Sequence, residues 1–333
     1  MSLLFTPLKI RDLTLPNRLV LPPMVRFSPP MSPEVTNTDG AVTPALIEHY
    51  RQRAAAGTGL IIVEATCVDP EGRNWKQGLN AYDDSAIAPL AQLAGAIRAE
   101  GSVAAIQIVH GGPQSSPALT GRPPVGPSAL QANASSATPR ALSIAEIEAI
   151  QERFSDAAER VVAAGFQVVE VHGAHGYLLD SFLSRARNQR SDAYGGDVPG
   201  RARFMVETCA RVMQRVAGRA LVTCRFSLFN KEPGEFEAAE IGQLVAGLES
   251  ANLDLLDLST NGVYRPWPGA GQSLGRIVRS QTRLPVIAAS GLVTPQDAER
   301  ALAEGHADLA AVGRAALTDP LWATHAREAL AQS

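Results

Sequence analysis

The sequence has little of what marks several protein classes. Its three cysteines, Cys67, Cys209 and Cys224, lie far apart and form no CxxC pair, so no disulfide framework is expected. No run of about 18 apolar residues occurs, so no transmembrane helix is expected. Lys- and Arg-rich runs are missing and the net charge is −3, which argues against nucleic acid or a membrane surface as a partner.

The amino terminus lacks the basic region, apolar core and cleavage site of a secretory signal. Together with the unpaired cysteines, this absence predicts a cytoplasmic protein. The chain has 333 residues, of which 45% are hydrophobic, and this is enough to bury a large core. No change in composition marks a linker, so we expect one domain over residues 1–333.

Apolar runs that are typical of buried strands alternate with longer segments that have helical signals. The runs are Leu19–Leu21, Leu60–Val63, Val103–Val109, Val168–Val171, Leu221–Arg225, Leu255–Leu258, Pro285–Ala289 and Leu309–Val312. Eight such units predict a closed parallel (β/α)8 barrel, the TIM barrel. A doubly wound sheet is disfavoured, because residues 22–26, which follow the first run, contain no glycine.

Residues 111–142, after the third predicted strand, are rich in Pro, Gly, Ser and Ala and have no long periodic segment. Connections of this length are uncommon inside a compact domain and are often lids or binding loops. We therefore predict a lid over the barrel mouth.

The strongest chemical signal is His172-Gly-Ala-His175-Gly-Tyr177, which follows the fourth predicted strand. In a barrel of this kind, catalytic groups lie at the carboxyl ends of the strands. Two imidazoles can donate hydrogen bonds to one substrate oxygen, and a phenol nearby can supply a proton.

Other strand ends indicate where a cofactor binds. Ser290-Gly291 and Gly313-Arg314 follow the seventh and eighth strands, where barrels commonly bind phosphate. Arg225 would be a costly buried charge without an anionic partner. Gln107 offers a donor and an acceptor to the edge of a ring. Together these groups suit flavin mononucleotide (FMN).

The chain resembles the Old Yellow Enzyme family of FMN-dependent oxidoreductases over nearly its whole length. Its opening contains Leu4-Phe-Thr-Pro-Leu-Lys-Ile and Leu15-Pro-Asn17-Arg18, and its second unit contains His49-Tyr50-Arg51 and Glu64-Ala65-Thr66. The most specific match is the His172-Gly-Ala-His175-Gly-Tyr177 motif, continued by Asn188-Gln-Arg190-Ser-Asp192-Ala-Tyr194-Gly-Gly196.

The resemblance implies roles for individual residues. The flavin ring would be contacted by Pro23, Met24, Val25, Ala65, Gln107 and Arg225, and the phosphate by Ser290, Gly291, Gly313 and Arg314. The substrate oxygen would be bound by His172 and His175, with Phe27 as a further substrate contact. Tyr177 would be the proton donor. No protein-bound metal is implied.

The implied activity is reduction of the activated C=C bond of α,β-unsaturated carbonyl or nitro compounds. Hydride would pass from NADH or NADPH through flavin N5 to the β-carbon, while Tyr177 protonates the α-carbon. The chain ends at Ala331-Gln-Ser333, without the longer tail through which some members reach a neighbouring subunit. Formation of a homo-oligomer by other contacts stays open.

The sequence departs from the family pattern at two positions near the expected site. Val25 stands where members usually have Thr or Cys in contact with the flavin C4 oxygen, so we predict an altered flavin potential. His110-Gly-Gly112-Pro113 lacks the arginine of the usual His-x-Gly-Arg, so we expect a different arrangement near the pocket.

Three alternatives remain from the sequence. The same flavin barrel can run oxidatively, in amine demethylation or substrate desaturation. A metal-dependent barrel enzyme could use His172 and His175 as ligands, although no HExxH motif or cysteine cluster supplies a third. A catalytically silent flavin protein is disfavoured, because both histidines and Tyr177 are present.

Overall fold

The computed structural model describes residues 2–25, 40–131, 136–228 and 236–332. Phe27, predicted as a substrate contact, lies outside these ranges. The strands are β1 (Leu8–Ile10), β2 (Leu13–Leu15), β3 (Leu19–Leu21), β4 (Leu60–Cys67), β5 (Val103–Val109), β6 (Val125–Gly126), β7 (Arg140–Ala141), β8 (Val168–Gly173), β9 (Leu221–Ser227), β10 (Leu255–Ser259), β11 (Val286–Ala289) and β12 (Leu309–Ala311).

Eight of these strands are parallel and close into a barrel in the order β3-β4-β5-β8-β9-β10-β11-β12. Each corresponds to one of the apolar runs, which confirms the predicted (β/α)8 fold. The runs are continuous because each strand is covered by the barrel interior on one face and by helices on the other. The antiparallel pair β1–β2 adds Ile10 and Leu15 to the apolar cluster inside the barrel.

The helices of the described ranges alternate with the barrel strands. They are α1 (Pro44–Ala55), α2 (Ile87–Ala99), α3 (Pro117–Thr120), α4 (Ile144–Ala163), α5 (Leu178–Leu183), α6 (Val198–Val216), α7 (Ala238–Ser250), α8 (Leu274–Gln281), α9 (Pro295–Ala303), α10 (Arg314–Thr318) and α11 (Trp322–Ala331). None of these helices combines the length and the apolar character that a membrane crossing requires.

Alternation along the strands decides which side chains point into the barrel. In β8, Val168 belongs to the interior cluster, whereas Val169 and Val171 belong to the core under the helices. Because successive strand residues face opposite sides, Glu170 and His172 share the inward direction of Val168. The same period directs every second residue of β5, β9 and β10 into the barrel.

Side-chain capping contacts stabilise the starts of three helices. The Thr43 hydroxyl accepts a hydrogen bond from the Leu46 N–H at 3.1 Å, and Thr294 caps α9. At α4, Ser143 accepts from the Glu146 N–H, and the Glu146 carboxylate accepts from the Ser143 N–H at 2.8 Å. These contacts satisfy N–H groups that a helix start otherwise leaves without a partner.

Replacing Ser143 with alanine should lower the free energy of unfolding by about 1 kcal/mol, because an N–H in the first turn of α4 loses its acceptor. Urea denaturation followed by circular dichroism measures the change. Ser250→Ala is the matched control. Ser250 is the last residue of a different helix, α7, and its hydroxyl donates to the Gly247 carbonyl, so it caps no helix start. Equal midpoints for Ser143→Ala and the wild type would contradict the capping role.

The described residues of the 111–142 segment, 111–131 and 136–142, contain short elements, including α3 and the parallel pair β6–β7, rather than one long helix. The segment is hydrogen-bonded to the connections that follow two barrel strands, β4 and β8. The Ser116 N–H donates to the Arg73 carbonyl at 2.8 Å, and Gln114 Nε2 donates to the His175 carbonyl at 2.8 Å. The segment therefore lies at the mouth end of the barrel, and its role as a lid stays a prediction.

Candidate functional site

A cavity of about 540 Å³ opens among the carboxyl ends of the barrel strands. Its wall is formed by Pro23, Met24, Val25, Ala65, Trp75, Gln107, His172, His175, Tyr177, Arg225, Arg314, Leu317 and Thr318. The sequence named all of these except Trp75, Leu317 and Thr318. Residues from distant parts of the chain thus meet in one place, as the predicted barrel requires.

The two histidines are brought together by the turn that follows β8. His175 has a φ of 62° and Gly176 a φ of 78°, both in the left-handed region, which histidine adopts more readily than most non-glycine residues. This turn places the rings of His172 and His175 edge to face, with centroids 5.2 Å apart. Both imidazoles reach the cavity.

His172 is neutral and is set to donate a hydrogen bond. Its Nδ1 accepts from the Ala174 N–H at 3.3 Å, so the ring proton lies on Nε2. Burial lowers the pKa of His172 well below 6.5, and the neighbouring His175 and Arg225 add to this shift. The imidazole therefore offers an N–H without a charge at neutral pH.

His175 is held from the ends of β9 and β10. Its Nε2 makes a hydrogen bond of 2.8 Å with the Ser259 hydroxyl, and its backbone N–H donates to the Ser227 hydroxyl at 3.2 Å. Ser227 and Ser259 end neighbouring strands and lie opposite each other in the register. These two serines orient the second imidazole beside the first.

Tyr177 stands immediately before α5 with its ring among other aromatic groups. The centroid of the ring is 5.0 Å from that of His172 and 5.7 Å from that of Trp75. Burial raises the pKa of Tyr177 to about 12, and a hydrogen bond with Asn74 opposes this shift. The phenol therefore keeps its proton throughout the neutral range.

The proposed phosphate contacts lie at the ends of β11 and β12. Ser290 has a φ of 104° and Gly291 a φ of 79°. For a non-glycine residue such a conformation costs on the order of 1–3 kcal/mol and is concentrated at functional sites. Gly313 packs so closely on Met24 that an added Cβ would lie 3.1 Å from the Met24 sulfur. Arg314, which follows, is exposed and forms part of the cavity wall.

Gln107 and Arg225 reach the cavity from inside the barrel, and each has a carboxylate next to it. Gln107 Nε2 donates to Glu170 Oε1 at 2.8 Å, and Arg225 Nε lies 3.8 Å from Asp257 Oδ2. The anionic partner that the sequence required for Arg225 is therefore a protein carboxylate. Glu170 and Asp257 were not identified from the sequence, although the two-residue strand period places both inside the barrel.

Within the described ranges, no group of three or more His, Cys, Asp or Glu side chains is arranged to hold a metal ion. His172 and His175 instead bond to a backbone N–H and to a serine hydroxyl. The alternative in which they are metal ligands gains no support from this geometry.

The cavity fits a flavin in polarity and in placement. Pro23, Met24, Val25 and Ala65 give an apolar wall for a ring. Arg225 is buried, forms part of the cavity wall and lies 3.8 Å from its nearest carboxylate, so a cation is available to an electron-rich ring edge. An apolar wall with a few convergent polar groups is typical of a cofactor site.

Comparison with known proteins agrees with this geometry. The model of the NADH:flavin oxidoreductase / NADH oxidase family matches residues 3–333. The NADPH dehydrogenase of Bacillus licheniformis is 35% identical over 323 residues, which are 96% of this chain and 92% of that protein. The NADH oxidase of Thermoanaerobacter brockii is 36% identical over 98% of this chain, which spans about half (50%) of that longer protein.

Among solved structures, the Old Yellow Enzyme homologue from Zymomonas mobilis superposes with a TM-score of 0.84 and 25% sequence identity. The match covers 99% of this chain and 93% of that one. The resemblance seen in the sequence is thereby confirmed. The chain belongs to the Old Yellow Enzyme (NADH:flavin oxidoreductase / NADH oxidase) family and is an FMN-dependent NAD(P)H oxidoreductase.

Proposed function

We propose that the protein reduces the activated C=C bond of α,β-unsaturated carbonyl or nitro compounds. The observation that carries this proposal is the convergence of two imidazoles and one protonated phenol in a single cavity wall. Two hydrogen-bond donors for an oxygen and a proton source beside them are the groups that an electron-poor alkene needs.

FMN would be held by the residues that form or adjoin the cavity. Pro23, Met24, Val25 and Ala65 would contact the ring, Gln107 and Arg225 its polar edge, and Ser290, Gly291, Gly313 and Arg314 the phosphate. When bound, FMN supplies a carrier that takes hydride from NADH or NADPH and gives it to the substrate. The protein supplies binding, orientation and charge complementarity.

His172 and His175 would bind the carbonyl or nitro oxygen of the substrate. The neutral His172 offers its Nε2–H, and the Ser259 hydroxyl fixes the orientation of the His175 ring. Both hydrogen bonds strengthen as negative charge develops on the oxygen, so they stabilise the transition state more than the bound substrate. This polarisation makes the β-carbon electrophilic.

Tyr177 would protonate the α-carbon. With its pKa raised to about 12 by burial, the phenol is fully protonated at neutral pH and available as an acid. The Trp75 ring packs edge to face against it, which limits the directions in which the phenol can point. The Asn74 side chain shares a hydrogen bond with the Tyr177 hydroxyl.

Absorption spectroscopy tests the proposal in two steps. The purified holoprotein should be yellow, and anaerobic addition of NADH or NADPH should bleach it. Cyclohexenone or a maleimide should then restore the colour rapidly. If the bleached protein were reoxidised by none of a panel of electron-poor alkenes, yet consumed oxygen with amine donors, the protein would act oxidatively and the proposal would be wrong.

Replacing Val25 with threonine should raise the flavin reduction potential by on the order of 20 mV, the equivalent of one hydrogen bond. Threonine has nearly the shape of valine and adds a hydroxyl that can donate to the ring, which favours the electron-rich reduced form. Dye-equilibrated anaerobic titration measures the potential. Val25→Ala, which adds no donor, is the control. An unchanged potential together with unchanged rates of both half-reactions would contradict the role of this position.

A further inference from the structure

Two carboxylates lie inside the barrel, one layer below the cavity. Glu170 on β8 and Asp257 on β10 are both fully buried. Each points inward, because Val168 and Leu255, two residues before them, belong to the apolar cluster of the barrel interior. Acidic side chains are almost never fully buried unless they are paired, so their position calls for an explanation.

Each carboxylate contacts one of the two polar groups proposed to hold the flavin ring. Gln107 and Glu170 are register partners on β5 and β8, joined by the hydrogen bond of 2.8 Å from Gln107 Nε2. Arg225 and Asp257 are register partners on β9 and β10, with 3.8 Å between Arg225 Nε and Asp257 Oδ2. The carboxylates thus support groups that face the cavity without forming its wall.

The charges in this layer do not balance if both acids are ionised, since two carboxylates would face one guanidinium. Glu170 Oε2 and both oxygens of Asp257 have no donor among the described residues. Burial, and then repulsion from Asp257, raise the pKa of Glu170 well above its ordinary value, and the two carboxyls are within hydrogen-bonding reach of each other. A single proton on Glu170, donated from Oε2 to one oxygen of Asp257, gives both of those atoms a partner and leaves Asp257 as the counter-ion of Arg225.

We propose that Glu170 and Asp257 are positioning residues of the flavin site. Glu170, as a neutral acid, orients the Gln107 carboxamide. Asp257, as an anion, orients the Arg225 guanidinium and limits the positive charge that it presents to the flavin. The inference rests on FMN occupying this cavity. It predicts that the flavin potential is set partly by residues that do not touch the ring.

Two isosteric variants separate the charges of the two acids. Asp257→Asn removes the counter-ion of Arg225, so the flavin potential should rise, because the uncompensated cation favours the electron-rich reduced ring. Glu170→Gln replaces one neutral group with another and should leave the potential close to that of the wild type. Glu170→Ala removes the acceptor of Gln107 and should weaken FMN binding about tenfold.

The potentials are measured on holoprotein by anaerobic dye titration, and the FMN dissociation constants by fluorescence after reconstitution. Asp254→Asn is the matched control, since Asp254 is buried near the opposite end of the barrel, where it binds Arg11 and the Val222 N–H. Asp257→Glu keeps the negative charge. Its flavin potential should therefore equal that of the wild type, even though the potential of Asp257→Asn is higher. Its melting curve shows whether that position tolerates substitution.

A rise in potential for Glu170→Gln as large as that for Asp257→Asn would show that Glu170 is ionised, and would overturn the inference. So would an Asp257→Asn potential equal to that of the wild type. If Asp257→Asn does not fold, Glu170→Gln decides alone: a potential above that of the wild type overturns the inference, and an unchanged potential supports it. Neither measurement uses an alkene, so a failure of the proposed alkene reduction would be seen separately, as a wild-type flavin that titrates normally but is not reoxidised by alkenes.

Discussion

Tyr177→Phe should slow the reduction of cyclohexenone by about 10²- to 10⁴-fold, the usual contribution of a positioned general acid. The rate at which NADH or NADPH bleaches the bound flavin should change little, because that step needs no proton from the protein. Stopped-flow spectroscopy separates the two half-reactions. The loss of rate should therefore appear only in the second half-reaction, the reoxidation of the flavin by the alkene.

The role of Tyr177 as proton donor also predicts how the rate of alkene reduction by the wild type depends on pH. Burial raises the pKa of Tyr177 to about 12, so its acid form persists well above the pH at which an ordinary phenol ionises, near 10. The rate of alkene reduction should not fall between about pH 7 and pH 10 through loss of this proton. A decline centred near pH 10 would show that the proton donor is a phenol with an ordinary pKa.

Two controls separate proton donation from damage to the site. Tyr82→Phe removes a half-buried phenol that is not part of the cavity wall, and both half-reactions should be unaffected. Ferricyanide takes electrons without a proton from the protein, so Tyr177→Phe should reduce it at the wild-type rate. If Tyr177→Phe slowed ferricyanide and cyclohexenone equally, Tyr177 would be structural.

The barrel could be predicted from the sequence because its strands are covered on both faces. Such strands appear in the sequence as short continuous apolar runs, as in Leu60–Val63 and Val103–Val109. Few folds other than a closed barrel accommodate eight of these runs in one chain. The helix starts were predictable for a local reason, since Thr43, Ser143 and Thr294 cap their helices through contacts within three residues.

Site residues outside the barrel strands could not be predicted in the same way. Trp75 and Asn74 belong to the connection after β4, and Leu317 and Thr318 lie in the short helix α10, where no strand period fixes a direction. Their place beside Tyr177 or Arg314 depends on tertiary packing.

Glu170 and Asp257 are a different case, because the sequence does contain a signal that places them inside the barrel. Glu170 interrupts a run of valines and lies two residues before His172, so the strand period already directs it into the barrel. The valines alone predict a buried strand, and only the phase of Glu170 relative to His172 indicates an acid in the barrel interior. An ionisable residue in phase with the interior face of a barrel strand indicates a polar layer under a site.

Replacing both His172 and His175 with alanine should remove most of the alkene reductase activity. Each lost donor to a developing oxyanion costs about 10²- to 10³-fold in rate, and the two losses act on the same oxygen. Binding of a phenol such as 4-hydroxybenzaldehyde should also be lost, because its oxygen would use the same donors. In the wild type, that phenol should produce a long-wavelength charge-transfer band with the oxidised flavin.

Asparagine at either position tests whether the hydrogen bond or the ring is responsible, since it keeps an N–H donor but not the imidazole. His172→Asn and His175→Asn should therefore retain more activity, and more of the charge-transfer band, than the corresponding alanine variants. His325→Ala is the matched control, because His325 is mostly exposed (57%) and pairs with Asp319 away from the cavity. If the double alanine variant kept both the band and the alkene rate, the substrate oxygen would be held elsewhere, and the cavity would lose its assigned chemistry even with its flavin in place.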